Sequence, residues 1–143
     1  MTHAPEFRIA LFGFLTAFFW EMWQMPFYDI GGASMVARVR GCSIASVGDA
    51  GIMVFAYVVA SWMTGTRLWL TQITLSRLLV YLGTGLAITV AIEHVALNVD
   101  FGWRYSELMP IEPIIGTGLV PLAMWVVVPL VTLWLARLPS LRV

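Results

Sequence analysis

Four long apolar stretches govern what this chain can become. They cover residues 7–27, 44–63, 75–99 and 114–138, each near the roughly 20 residues a helix needs to cross about 30 Å of hydrocarbon. Lipid offers the backbone no hydrogen-bonding partner, so each stretch is expected to be helical. The expected fold is all-α: a polytopic integral membrane protein, one four-helix transmembrane domain spanning residues 1–143. Composition agrees, with 60% hydrophobic and 11% charged residues against about 45–50% and about 25% in soluble domains. The mean hydropathy is +0.87. A water-soluble globule and a disordered chain are both excluded. The net charge is zero and the basic residues are dispersed, which leaves no electrostatic footprint for nucleic acid. A single cysteine rules out a disulfide framework and a four-thiolate metal site.

The first stretch follows Arg8, as a secretion signal would. It is too long, carries Glu21 and lacks a small-residue cleavage motif, so it reads as a retained span. All eight basic residues are arginines. With the N-terminus in the cytoplasm, Arg8, Arg67, Arg77, Arg137 and Arg142 fall inside, and Arg38, Arg40 and Arg104 fall outside. That excess predicts an inner-membrane, multi-pass protein with both termini cytoplasmic. The first connection, residues 28–43 with Cys42, and the third, residues 100–113, then face outward, joined to the rest by a short inner turn at 64–71.

This topology aligns three acids. Glu21 lies eight residues before Asp29, Asp49 about five residues inside the second span, and Glu93 seven residues before Asp100. At about 1.5 Å of rise per residue, all three carboxyls sit roughly 8–12 Å below the outer interface. Helical spacing gathers small and polar residues with them. Gly13, Ala17, Glu21, Gln24 and Tyr28 form one stripe; Asp49, Met53, Ala56 and Tyr57 another; Gly85, Thr89 and Glu93 a third. Gly83, Ala87 and Ala91 form a second ridge on the third span, and Gly48, Ala56 and Ala60 are expected to permit close helix approach. The acids are therefore expected to point into the bundle.

An ionised side chain at the membrane centre costs about 2.5–3.5 kcal/mol, so three would cost up to about 10 kcal/mol, comparable to a domain's whole stability of about 5–15 kcal/mol. Relief must come from protonation, a bound cation, or an arginine reaching in, with Arg104 the nearest in sequence to Glu93. A carboxylate near a helix end can also snorkel or bond a neighbouring helix with no further role; three at one depth favour function. His94 is about 100° around the helix from Glu93 and reads first as a core or interfacial histidine. Paired haem histidines would need His3 and His94, which this topology sets on opposite sides. No phosphate-cradling loop, metalloprotease motif or nucleophile elbow is present.

The third connection carries Trp103, Arg104, Tyr105 and Glu107 ahead of Pro110 and Pro113, which restrict its backbone, and is expected either to fold over the acids as a lid or to anchor at the headgroups. Pro121 and Pro129 are expected to kink the fourth span, which offers no carboxylate.

The segments Trp20-Glu21-Met22-Trp23-Gln24-Met25-Pro26-Phe27-Tyr28, Gly48-Asp49-Ala50-Gly51-Ile52-Met53, and Met109-Pro110 with Gly118-Leu119-Val120-Pro121-Leu122 resemble a group of small four-helix bacterial inner-membrane proteins. That resemblance implies the fold and carries no activity. Glu93 followed by Gly102-Trp103-Arg104-Tyr105 and spaced prolines is similar to part of the carotenoid hydratase membrane family, and implies chemistry on an isoprenoid.

Three functional readings follow. In the first, Glu21, Asp49 and Glu93 perform acid/base chemistry on an apolar small molecule or membrane lipid that enters sideways: isomerisation, hydration or cyclisation. Glu93 is then the acid and Asp49 or Glu21 the base, with Gln24, Tyr28, Tyr57, Trp103, Arg104 and Tyr105 binding substrate. In the second, the carboxylates serve a cation- or proton-coupled transporter or an oligomeric channel; a divalent cation would suit such oxygen ligands, with Glu21, Asp49, Glu93 and His94 as the candidate metal ligands. In the third, they bind a partner within a homo-oligomer or larger membrane complex. No cofactor is identified.

Overall fold

The computed structural model describes residues 4–100 and 102–138; His3 and Arg142 lie outside the described residues. Four helices follow in order: α1, Pro5–Gln24; α2, Met35–Thr64; α3, Leu75–Asn98; and α4, Leu119–Arg137. Local chemistry sets their ends. Pro5 begins α1, where its fixed φ suits the first turn and its missing amide costs nothing. Ser34 and Thr74 accept the backbone amides of Ala37 at 3.2 Å and Arg77 at 3.5 Å, capping donors that have no partner inside the helix. Gly65 ends α2 with φ at +70°, a left-handed conformation that glycine adopts without steric cost.

The second helix begins nine residues before the expected span at 44. Cys42 is therefore helical and buried, not part of a loop. The expectation of an open connection up to residue 43 failed because Arg38, Arg40 and Gly41 interrupt the apolar pattern without breaking the helix.

Packing runs around a ring: α1 contacts α2 and α4, and α3 contacts the same two. Small residues set the spacing. A Cβ on Gly13 would meet the Met53 sulfur at 3.1 Å, and one on Gly85 would meet the Trp125 ring at 2.4 Å. Thr16 and Thr132 share a hydrogen bond of 2.8 Å between α1 and α4, a polar clasp where the hydrophobic effect gives membrane helices little drive to associate. Gly83, Ala87 and Ala91 face outward; Ala56 and Ala60 are fully buried, whereas Gly48 has open space beside it and does not make the close helix contact expected of it.

The outer surface carries many large apolar side chains, among them Phe19, Trp62, Leu79, Val95 and Trp134. Three helices, α2, α3 and α4, are long and apolar enough to cross a membrane, which makes this a multi-pass membrane protein; α1, with Glu6, Arg8 and Glu21 in its 20 residues, is not among them.

One end of the bundle is a sealed aromatic core. Tyr57 stacks on Trp69 at 4.7 Å, Trp69 meets Tyr81 edge-on at 5.9 Å, and the Trp69 indole donates to Ser61 Oγ at 3.0 Å. Beside it Arg67 pairs with Glu6, and Arg8 donates to the Leu138 carbonyl. The opposite end is hollow.

Candidate functional site: a carboxyl-lined cavity

The C-terminal ends of α1 and α3 and the N-terminal parts of α2 and α4 enclose a cavity of about 500 Å³. Glu21, Asp49 and Glu93 all line it, together with Gln24, Tyr28 and Trp103. The three acids thus share one cavity. The remaining wall is apolar: Ala45, Gly48 and Ile52 from α2, Ile92 from α3, Met124 and Trp125 from α4. Ala45, Gly48 and Ile92 are also exposed, so this part of the wall, formed by α2 and α3, is accessible from outside.

The three carboxyls differ in their partners. Glu93 is saturated: Tyr28 donates to Oε1 at 3.3 Å, while the Trp103 indole at 3.2 Å and the Tyr105 hydroxyl at 2.5 Å donate to Oε2. Glu21 Oε1 accepts from Gln24 at 2.7 Å, and Gln24 in turn accepts from the Trp20 indole at 3.0 Å. That relay orients Glu21. Asp49 Oδ2 is buried with no hydrogen-bond partner. A buried polar atom without a partner costs about 1–3 kcal/mol, so Asp49 is where this cavity stores an unmet demand.

A roof covers the site. The third connection runs back antiparallel to the α1–α2 connection through a bridge between Tyr28 and Tyr105. The Asp29 amide donates to the Arg104 carbonyl at 2.9 Å, the Ser106 amide to the Phe27 carbonyl at 3.0 Å, and the Ser106 hydroxyl to the Pro26 carbonyl at 2.8 Å. The Gly118 amide reaches the Tyr105 oxygen at 3.0 Å, tying the roof to the start of α4. Burial first, and then the adjacent Glu93 carboxylate, hold the phenols of Tyr28 and Tyr105 well above the ordinary tyrosine range. Both remain neutral donors.

Several expected roles change. Tyr57 shares a helical stripe with Asp49 but lies in the aromatic core at the far end, donating to the Arg67 carbonyl at 2.5 Å; eight residues of rise are about 12 Å, which the stripe alone conceals. Arg104 is exposed and contributes its backbone to the roof, not its charge to the acids. His94 is exposed on α3, and among the described residues no group of three or more His, Cys, Asp or Glu could hold a metal ion; the proposed set of Glu21, Asp49, Glu93 and His94 does not assemble.

Other lining residues escaped the sequence reading. Arg38, Cys42 and Trp125 line the cavity, and Arg38 is held there by its Nε donating to the Ala33 carbonyl at 2.8 Å. Its separation from Asp49 by 11 residues, close to three whole helical turns, is the signal that could have found it.

No family model matches this chain, and neither a curated protein nor a solved structure is detectably similar to it.

Proposed function

We propose that the cavity is an intramembrane acid/base site acting on an unsaturated apolar lipid that enters between α2 and α3. The observation that carries the reading is the unequal treatment of three carboxyls in one apolar chamber, with Glu93 fixed by three donors and Asp49 Oδ2 left without a partner. This favours Asp49 over Glu93 as the group that exchanges a proton, because every Glu93 oxygen is already an acceptor.

In the simplest cycle, Asp49 gives its proton to one carbon of a substrate double bond. The carboxylate so formed and the faces of Trp103 and Trp125 stabilise the carbocation. Loss of a proton from the neighbouring carbon to Asp49 then leaves an isomer; addition of water, whose surplus proton passes to Asp49, leaves an alcohol. Both routes are redox-neutral and return the carboxyls to their starting state.

In this reading all four helices cross an inner membrane with both termini cytoplasmic, as the arginine bias favours, and the cavity opens into the outer leaflet.

Solvent isotope provides a test that does not require knowing the product. Protein in vesicles of unsaturated isoprenoid and glycerolipid, incubated in deuterium oxide, is expected to place deuterium on lipid carbon, and Asp49→Asn to abolish that labelling. Absence of label with the intact protein, or proton flux across the vesicle without label, overturns the proposal.

A further inference from the structure

A second, shallower cleft of about 740 Å³ adjoins the carboxyl-lined cavity and shares Met25, Tyr28, Asp29, Ile30 and Arg38 with it. The two hollows thus meet at these shared residues, which form a mouth where exposed Asp29 and half-buried Arg38 stand. At the mouth stand two opposite charges that do not satisfy each other: the ion pair found among the described residues is Arg67 with Glu6. Arg38 uses Nε on the Ala33 carbonyl, which fixes the guanidinium and leaves its terminal nitrogens for a ligand. Asp29 uses Oδ1 on the Gly31 amide at 3.2 Å, which leaves its second oxygen. The Asp29 backbone is itself pinned by Arg104.

The second helix measures the depth between mouth and interior. Arg38 and Asp49 are 11 residues apart, about 16 Å along the axis and within about 20° around it. Cys42 and Ala45 lie on the same face between them and are small enough to leave a groove. If the carboxyls lie about 8–12 Å below the hydrocarbon boundary, Arg38 stands about 4–8 Å above it, within the headgroup layer, since a bilayer of about 40–45 Å holds about 30 Å of hydrocarbon.

Resting on the acid/base reading, we infer that the substrate is an amphiphile with a zwitterionic phosphate–amine head. Its phosphate is bound by Arg38, its ammonium by Asp29, and its apolar chain follows the α2 groove so that the reacting carbon meets Asp49. An anionic head would leave Asp29 opposed and a cationic one would leave Arg38 opposed; a head carrying both charges meets both. The spacing then acts as a ruler, selecting bonds about 16 Å from the head.

Head recognition is tested by native mass spectrometry of the purified protein titrated with dihexanoyl phosphatidylethanolamine, dihexanoyl phosphatidylglycerol, dihexanoylglycerol and glycerophosphoethanolamine. The zwitterionic lipid is expected to bind at least about tenfold more tightly than the other three, a difference of about 1.4 kcal/mol. Arg38→Gln is expected to remove most of that preference and Arg38→Lys to restore part of it, which separates a lost charge from a lost fold. Equal binding of the glycerol-headed lipids, an unchanged preference in Arg38→Gln, or equally tight binding of glycerophosphoethanolamine without chains overturns the inference. A preserved head preference without deuterium labelling would sink the acid/base reading alone; labelling that is indifferent to the head would sink the ruler alone.

Discussion

The Tyr105 hydroxyl donates to Glu93 Oε2 at 2.5 Å while accepting the Gly118 amide at 3.0 Å. One phenol oxygen therefore joins the carboxyl at the end of α3 to the first residues of α4, across a connection with little regular structure. Tyr105→Phe removes both bonds and leaves a part-buried amide without its partner. The expected loss is about 1–3 kcal/mol, read as a lower melting temperature, with faster proteolysis of residues 102–118. An unchanged melting temperature would show that the roof is held by its backbone bonds alone.

Glu93 and Glu21 should respond differently to amide replacement. Glu93 faces three donors, and Glu93→Gln turns one acceptor into an NH₂ group opposed to at least one of them. Glu21 faces a single amide, and Gln24 can reorient to suit a glutamine there. Thermal unfolding is expected to show Glu93→Gln destabilised by about 1–3 kcal/mol and Glu21→Gln near the parent protein.

Asp49 inverts the usual outcome of changing a site residue. Its Oδ2 is buried without a partner, so Asp49→Leu removes an uncompensated polar group and fills the cavity with carbon. Stability is expected to rise by about 1 kcal/mol or more, and deuterium labelling to vanish. A fall in melting temperature would mark Asp49 as a structural residue and argue against its role in proton transfer.

Alkaline pH should loosen the roof. Burial raises the folded-state pKa of Tyr28 and Tyr105, so the folded protein holds phenol protons that the unfolded chain releases near pH 10. The associated stability is complete below that value and is lost as pH rises beyond it. Melting temperature measured between pH 8 and 11 is expected to hold and then decline, with a shallower decline in Tyr105→Phe.

Close packing supplies a separate check on the bundle. A methyl group on Gly85 would meet Trp125 Cζ3 at 2.4 Å, a contact no side-chain adjustment at position 85 can relieve. Gly85→Ala is expected to cost about 1–3 kcal/mol, while Gly83→Ala, on the exposed face of the same helix, should be nearly neutral.

Much of this arrangement was legible in the sequence because two periodicities carry it. Apolar length set the helices, and helical spacing pointed to Glu21, Asp49 and Glu93, which line one cavity. Spacing within a helix does not say which end of a stripe faces a cavity, and so Tyr57 was grouped with Asp49 although it belongs to the aromatic core. Charge was equally ambiguous. Arg38 and Arg40 read as loop residues, whereas Ser34 caps a helix that carries both. Proximity in sequence favoured Arg104 as the partner of Glu93, but three uncharged donors, two of them beside Arg104 on the roof, fill that place. Unmet polarity could not be read either: nothing in the sequence marks Asp49 Oδ2 as unmatched, since that is a property of everything around it.

The main-chain stitching between residues 26–29 and 104–106 separates the inner lining of the roof from its outward dressing. Arg104, Glu107 and Leu108 project from it into the surroundings, so an epitope or a fluorophore attached at 107 or 108 can report on the protein without reshaping the chamber beneath.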